Sequence, residues 1–359
     1  VGAYSKDVQV FNNEYRDFEP VASMYGLSPY SSTSLTWKKS WPVKPEVLFD
    51  GGNIVTNGKD FLESPDLEIL TTYYQPYVKQ FSTINATSSA TAQAGWFCGQ
   101  LISAYPDFWP ETIRALMIHS AEWTDEMKRQ FCQEDTKRKG RYTLLRTCGY
   151  GIPNLEKAIQ CVNNSVNMII QGELQPFPYK DSPNEMHLHT LPWPKEVLEN
   201  LNEEEVMLKV TLSYFIEPGL GEIGWNNRYR YPSCGLRFDL INSNESQEDF
   251  QKRINQKMRG DNKKDSGDGT SGAERWFLGS ANRDVGSIHS DFCQLSAIEL
   301  SECNRVAVYP VTGWWKGRNY LGKVYNKVRY SLVVSLSTTK TDVDLYTPIV
   351  TQIANATLI

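Results

Sequence analysis

The stretch SSATAQAGWFCGQLISAY, from Ser88 to Tyr105, limits the possible folds of this chain more than any other part of it. Small side chains come first and larger apolar ones later, no proline interrupts, and serine can cap the start, so the stretch reads as a buried helix. A second helix is expected from Trp109-Pro110-Glu111, because proline is tolerated at the first helical position. Ile113, Leu116, Met117 and Ser120 then share one face, set to cover a sheet. Glu46-Val47-Leu48-Phe49 followed by Asp50-Gly51-Gly52 reads as a buried strand ending in a tight turn.

The pattern changes near residue 165. Val206–Tyr214 and Val328–Leu336 alternate apolar with smaller or polar residues, as half-buried antiparallel strands do. Arg305–Val311 is a third strand, in which Pro310 suggests an edge or a bulge. The expected fold class is α/β with a parallel sheet over residues 1–165, followed by an antiparallel β-sandwich or jelly roll over 166–359. A chain of 359 residues is long enough for two such domains. The polar run from Asn242 to Gly272 is too poor in apolar residues to offset its ordering entropy, so a mobile loop is expected over 242–272.

Composition excludes several functions. With 37 basic against 42 acidic residues, the net charge of −5 gives no field to gather phosphates, which argues against nucleic acid as a partner. No run of 18 or more apolar residues and no secretion-type leader is visible, which argues against a membrane. The seven cysteines are odd in number and lack CxxC spacing, so reduced thiols in a cytoplasm fit better than disulfides or a zinc site. Neither a cofactor nor a metal is called for.

Ser88 is the candidate nucleophile. A serine becomes reactive when its hydroxyl faces solvent, a base can take its proton, and backbone donors can hold an oxyanion. The start of a helix supplies unpaired N–H groups and a positive dipole end, and Ala86-Thr87-Ser88-Ser89-Ala90-Thr91-Ala92 places Ser88 there among small neighbours. The bland alternative is that either serine is only a cap. Gly269-Thr270-Ser271-Gly272 repeats the letters in a polar loop with no apolar helix behind it, and reads as a decoy.

The surroundings of Ser88 resemble the nucleophile motif of the subtilisin-like serine proteases, G-T-S-x-A-[ST]-P before a small-residue helix. Three other segments match in order before it: Val1-Gly2-Ala3 resembles the family's V-G-A strand, Ser28–Ser34 its serine-rich segment, and Lys44–Ile54 its K-P-D-I-x-A-P-G-x-x-I signature. Tyr150–Asn154 is similar, more loosely, to the segment that closes the catalytic domain. Ala86 replaces the motif's glycine, Ala92 its proline, and Asp50 and Phe49 differ in the earlier loop. Tyr214–Pro218 and the strand leading into Trp314-Trp315 resemble a β-domain appended to some bacterial cytoplasmic subtilases.

The resemblance implies a serine endopeptidase with Ser88 as nucleophile. In the family the catalytic Asp, the catalytic His and the oxyanion-hole Asn precede the V-G-A strand, so it places all three before Val1 and implies that this chain alone is inactive. Its implied partners are a peptide or protein substrate, the upstream half of the catalytic domain across a raw sheet edge and, as in some similar bacterial proteins, a paired ATPase. The alternative is a degenerate subtilase that binds peptides or proteins without cleaving them; a third reading is an independent carbohydrate or adhesion module resting on the paired tryptophans, whose simpler reading is a buried pair closing the sandwich.

The four histidines have structural readings of their own. His119 lies on the second helix as a core or surface residue. His187 and His189 share one strand face, which could suit a metal but lacks a third ligand. His289 reads as part of a polar turn.

Overall fold

In the computed structural model, residues 1–132, 137–160, 165–177, 185–221, 230–259, 273–340, 343–345 and 347 are described. Two compact units emerge: Val1–Trp37, Val43–Phe108 and Ser120–Ile159 form the first, and Lys38–Pro42, Trp109–His119 and Gln160–Ile359 the second.

The first unit runs through β1 (Gly2–Tyr4), β2 (Glu19–Pro20), β3 (Leu48–Asp50), β4 (Ile54–Thr56), β5 (Phe61–Glu63), β6 (Ile69–Thr72), β7 (Phe81–Ile84) and α1 (Ala86–Ala104). After α2 (Pro110–His119), which packs with the second unit, come α3 (Asp125–Phe131), α4 (Lys137–Cys148) and α5 (Leu155–Ile159). β1 and β3 pair in parallel, Gly2 opposite Leu48 and Tyr4 opposite Asp50. Successive strand side chains point to opposite faces, and β3 uses both. The Phe49 ring meets Phe97 of α1 edge-on, with centroids 5.9 Å apart. Leu48 joins Met127, Leu144 and Cys148 in a separate core. The result is helix, sheet, helix layering with β3 between.

The expected raw edge does not occur on the flank of β1. There Ser28 N donates to Ala3 O at 3.0 Å, and Ser31 Oγ accepts from Ala3 N at 3.1 Å. The serine-rich segment satisfies the strand that a neighbour would otherwise pair. On the far flank of β3, Leu48 N donates to Gly151 O at 2.9 Å. Gly151, at φ +100°, leaves no room for a side chain, since a Cβ would stand 2.1 Å from Glu122 O.

The second unit holds β8 (Ser165–Leu174), β9 (His187–Thr190), β10 (Glu205–Tyr214), β11 (Gly235–Leu240), β12 (Ile288–Ser296), β13 (Arg305–Val311) and β14 (Val328–Thr338). They form two antiparallel sheets, in the orders β12-β10-β14-β8 and β11-β13-β9. The period-2 reading holds: Val206, Leu208, Val210 and Leu212 are fully buried and share one core with Leu236, Phe238 and Val308 of the other sheet. The α/β part followed by an antiparallel sheet-rich part is therefore the observed fold class.

Three details differ from expectation. α2 packs on β10 and β14 rather than on the parallel sheet, and most of its residues are buried. Its polar groups find partners there: Arg329 donates to Glu111, and Thr112 Oγ1 to Gln171 Oε1 at 2.7 Å. β13 is the central strand of its sheet, not an edge. Pro310 is tolerated because pairing with β9 stops at Val308 opposite His187, so no strand on that flank awaits its missing N–H.

The polar run beginning at Asn242 contains a helix, Gln247–Arg259, because Phe250 and Ile254, four residues apart, are both fully buried. Residues 260–272, including Gly269-Thr270-Ser271-Gly272, lie outside the described residues. The tryptophan pair is buried, with Trp314 Nε1 donating to Glu217 O and Trp315 Nε1 to Glu217 Oε2. That geometry removes the stacking surface on which the carbohydrate reading rested.

Candidate active site

Strand β3, the turn after it and α1 build the site. Asp50-Gly51-Gly52 turns the chain at the end of β3, and Ala86 N donates to Gly51 O at 2.8 Å, which fixes the start of α1 against that turn. Gly51 is required, since a Cβ there would stand 2.3 Å from Ala3 Cβ. Asp50 O receives two further bonds from α1, Ser89 Oγ at 3.0 Å and Gln93 Nε2 at 2.7 Å.

The two serines thus divide the roles that the sequence left open. Ser89 is buried and its hydroxyl is committed to Asp50 O and Ala86 O. Ser88 is exposed, and its hydroxyl has no hydrogen-bond partner among the described residues. It sits in the first turn of α1, where unpaired N–H groups and the helix dipole favour a negative charge. A tetrahedral oxyanion formed on Ser88 would lie in that field.

Asn85, just before the helix, does not cap it with its side chain. Its Nδ2 instead lies 2.9 Å from Tyr30 Oη, 3.0 Å from Glu63 Oε1 and 3.2 Å from Glu68 Oε1. Burial first, and then the Glu63 carboxylate, push the Tyr30 phenol up to about 12. The carboxyl of Asp50 is likewise raised, by burial above all, although it accepts from Gly52 N.

Ala86 carries the one conformational oddity of the site. Its φ is +66°, in the left-handed region, which costs a residue with a Cβ about 1–2 kcal/mol. The subtilisin-like motif has glycine at this place, so the backbone shape persists while the residue suited to it does not.

All four histidines belong to the second unit, and each is engaged there. His119 is buried between Thr211 Oγ1 and Ser335 Oγ, both at 2.8 Å, and burial lowers its pKa far below the usual range. His187 Nδ1 and His189 Nε2 both meet Tyr330 Oη, at 2.6 and 2.8 Å, so the shared face that suggested a metal holds a phenol. His289 is no turn residue: it is fully buried in β12, with Nδ1 2.8 Å from Arg283 O and Nε2 3.0 Å from Arg237 Nη1. Burial and then the Arg237 charge bring its pKa down to about 3.

Among the described residues no group of three or more His, Cys, Asp or Glu side chains is placed to hold a metal ion, and no helix is long and apolar enough to cross a membrane. Sequence reasoning missed the Asn85, Tyr30, Glu63 and Glu68 cluster; its members are far apart in the chain and no local motif joins them.

Residues 1–151 match the model of the subtilase family. The chain is also 25% identical over 206 residues to the uncharacterized protein y4bN of Sinorhizobium fredii (strain NBRC 101917 / NGR234). That alignment covers 55% of this chain and 42% of the relative, so the chain spans about two fifths of the relative's length. The ordered motifs, the strand-turn-helix geometry around Ser88 and the family match agree that the likeness to the subtilase family lies in residues 1–151.

Proposed function

We propose that the whole protein is a serine endopeptidase in which Ser88 attacks the peptide carbonyl. The observation that carries this reading is the exposed, unpartnered Ser88 hydroxyl in the first turn of α1, beside a serine that is fully committed to structure. In the reaction a base takes the Ser88 proton as Oγ bonds to the carbonyl carbon, the oxyanion forms in the field of the α1 N-terminus, and the amine leaves with a proton returned by the base.

The base and its orienting Asp, together with an oxyanion-hole Asn, are supplied by residues preceding Val1, and the 359-residue chain is inactive without them. Two observations support this: the unit that holds Ser88 contains no histidine, and every histidine of the other unit is hydrogen-bonded within that unit. The substrate is a peptide or protein, the compartment is the cytoplasm, and the antiparallel sheets stabilise the catalytic part or select substrates. A partner ATPase, as in some similar bacterial proteins, belongs to the same reading.

The test is a fluorophosphonate probe applied to the protein with its upstream region, followed by peptide mapping. Covalent label on Ser88, lost in Ser88→Ala, is the expected result; a folded sample that takes no label refutes the proposal. The second reading, a subtilase that binds peptides without cleaving them, draws on Ala86 at φ +66° in place of glycine. It predicts peptide binding without labelling.

A further inference from the structure

The segment from Trp314 to Tyr330 carries Lys316, Arg318, Lys323, Lys327 and Arg329 and no acidic residue, in a chain whose acidic residues outnumber its basic ones, 42 to 37. Short helical turns at Trp314–Gly317, Asn319–Leu321 and Lys323–Tyr325 pack on one another and fold it compactly. Glu217 ties the segment down: it accepts from Trp315 Nε1, and its Oε1 lies 3.1 Å from Lys323 Nζ. Arg318 donates to Leu220 O at 3.1 Å and its guanidinium lies over the Trp314 ring.

The platform exposes apolar as well as basic side chains. Leu220 is 78% exposed, Tyr320 79%, Tyr325 53% and Leu321 43%. Exposed apolar side chains grouped in this way mark interaction surfaces, and tyrosine and arginine are enriched in them. Lys316 and Lys327 are exposed and have no ion-pair partner among the described residues. Lys316 and Lys327 thus add positive charge to the platform beyond the Lys323–Glu217 pair.

We infer that this platform docks an acidic polypeptide segment bearing apolar side chains. Tyr320, Leu321 and Leu220 cover its apolar groups, and Lys316 and Lys327 meet its carboxylates. Charge decides between partners. A long polyanion would meet the repulsion of a chain with net charge −5, whereas a short acidic segment interacts only within the Debye length, about 8–10 Å, of the basic patch. The inference stands apart from the chemistry at Ser88.

The test is fluorescence anisotropy on the full chain with a fluorescein-labelled twelve-residue peptide of Asp, Glu, Leu and Tyr. A matched peptide with Lys in place of the acids, oligo(dT) and phosphatidylserine vesicles run beside it. The acidic peptide is expected to bind, to weaken with salt, and to lose at least about tenfold in affinity in the Lys316→Glu, Lys327→Glu double variant. Tyr320→Ala, which removes no charge, is expected to weaken it at low and high salt alike. Equal binding of the basic peptide, unchanged affinity in a folded double variant, or tighter binding to oligo(dT) or vesicles would overturn the inference.

Discussion

The two units use polar side chains in opposite ways. In the first, Ser88 stands in solvent with its hydroxyl unpaired, while its neighbour Ser89 is locked to Asp50 O and Ala86 O. In the second, groups that could do chemistry are bonded to one another: the buried His119 to Thr211 and Ser335, the buried His289 to Arg237, and the half-buried His187 and His189 to Tyr330. A catalytic group must be reachable and its proton must be free to move. The histidines of the second unit are instead held by hydrogen-bond partners, and leaving a fully buried one such as His289 unpaired would cost about 1–3 kcal/mol. A motif-bearing serine and a list of histidines in one chain therefore do not make a triad.

The sharpest way to break this contrast is at the serine pair. In the protein with its upstream region, Ser88→Ala is expected to abolish fluorophosphonate labelling and to lower kcat by at least about a thousandfold, with stability within about 0.5 kcal/mol of the parent. Full activity in Ser88→Ala would end the assignment.

Acid should separate the units next. The pKa values of His119, His189 and His289 are lowered in the fold, that of His189 to about 4 and that of His289 to about 3, so below pH ~6.5 the unfolded chain binds protons that the folded one does not. Stability of the second unit then falls as pH drops. Asp291 opposes this, since burial raises its pKa to about 6 and the folded state binds its proton first. With three lowered histidines against one raised carboxyl, the unfolded state binds more protons than the folded one near pH ~5, so stability falls as the pH drops. Urea melts between pH 7 and 5, read by tryptophan fluorescence and hydrogen exchange, should show the loss in β10, β12 and β14 and spare β1 and β3. Uniform loss would mean that the units do not differ in this way.

Smaller effects sharpen the comparison. Phe238→Ala removes a fully buried ring from the sandwich core, and should cost about 3–5 kcal/mol without changing the labelling of Ser88. Ser89→Ala removes the hydroxyl bonded to Asp50 O and should cost about 1–2 kcal/mol, measured by chemical denaturation, with a smaller loss of activity than Ser88→Ala. Ala86→Gly relieves the positive φ and should stabilise the first unit by about 1 kcal/mol or less, after the extra chain entropy of glycine is subtracted.

Local pattern and tertiary packing contributed different things. The helix from Ala86 to Ala104, the strands at Glu205–Tyr214 and Val328–Thr338, and the candidacy of Ser88 were legible because each rests on neighbours within a few residues. The helix Gln247–Arg259 was missed because two buried apolar residues, Phe250 and Ile254, outweigh a polar composition only once a core is there to receive them. Packing alone decided that Ser89 rather than Ser88 turns inward, that α2 covers β10 and β14, and that His289 lies in a buried strand. The physical reason is range: periodicity and capping are properties of consecutive residues, whereas burial and hydrogen-bond partners depend on surfaces brought together from distant parts of the chain.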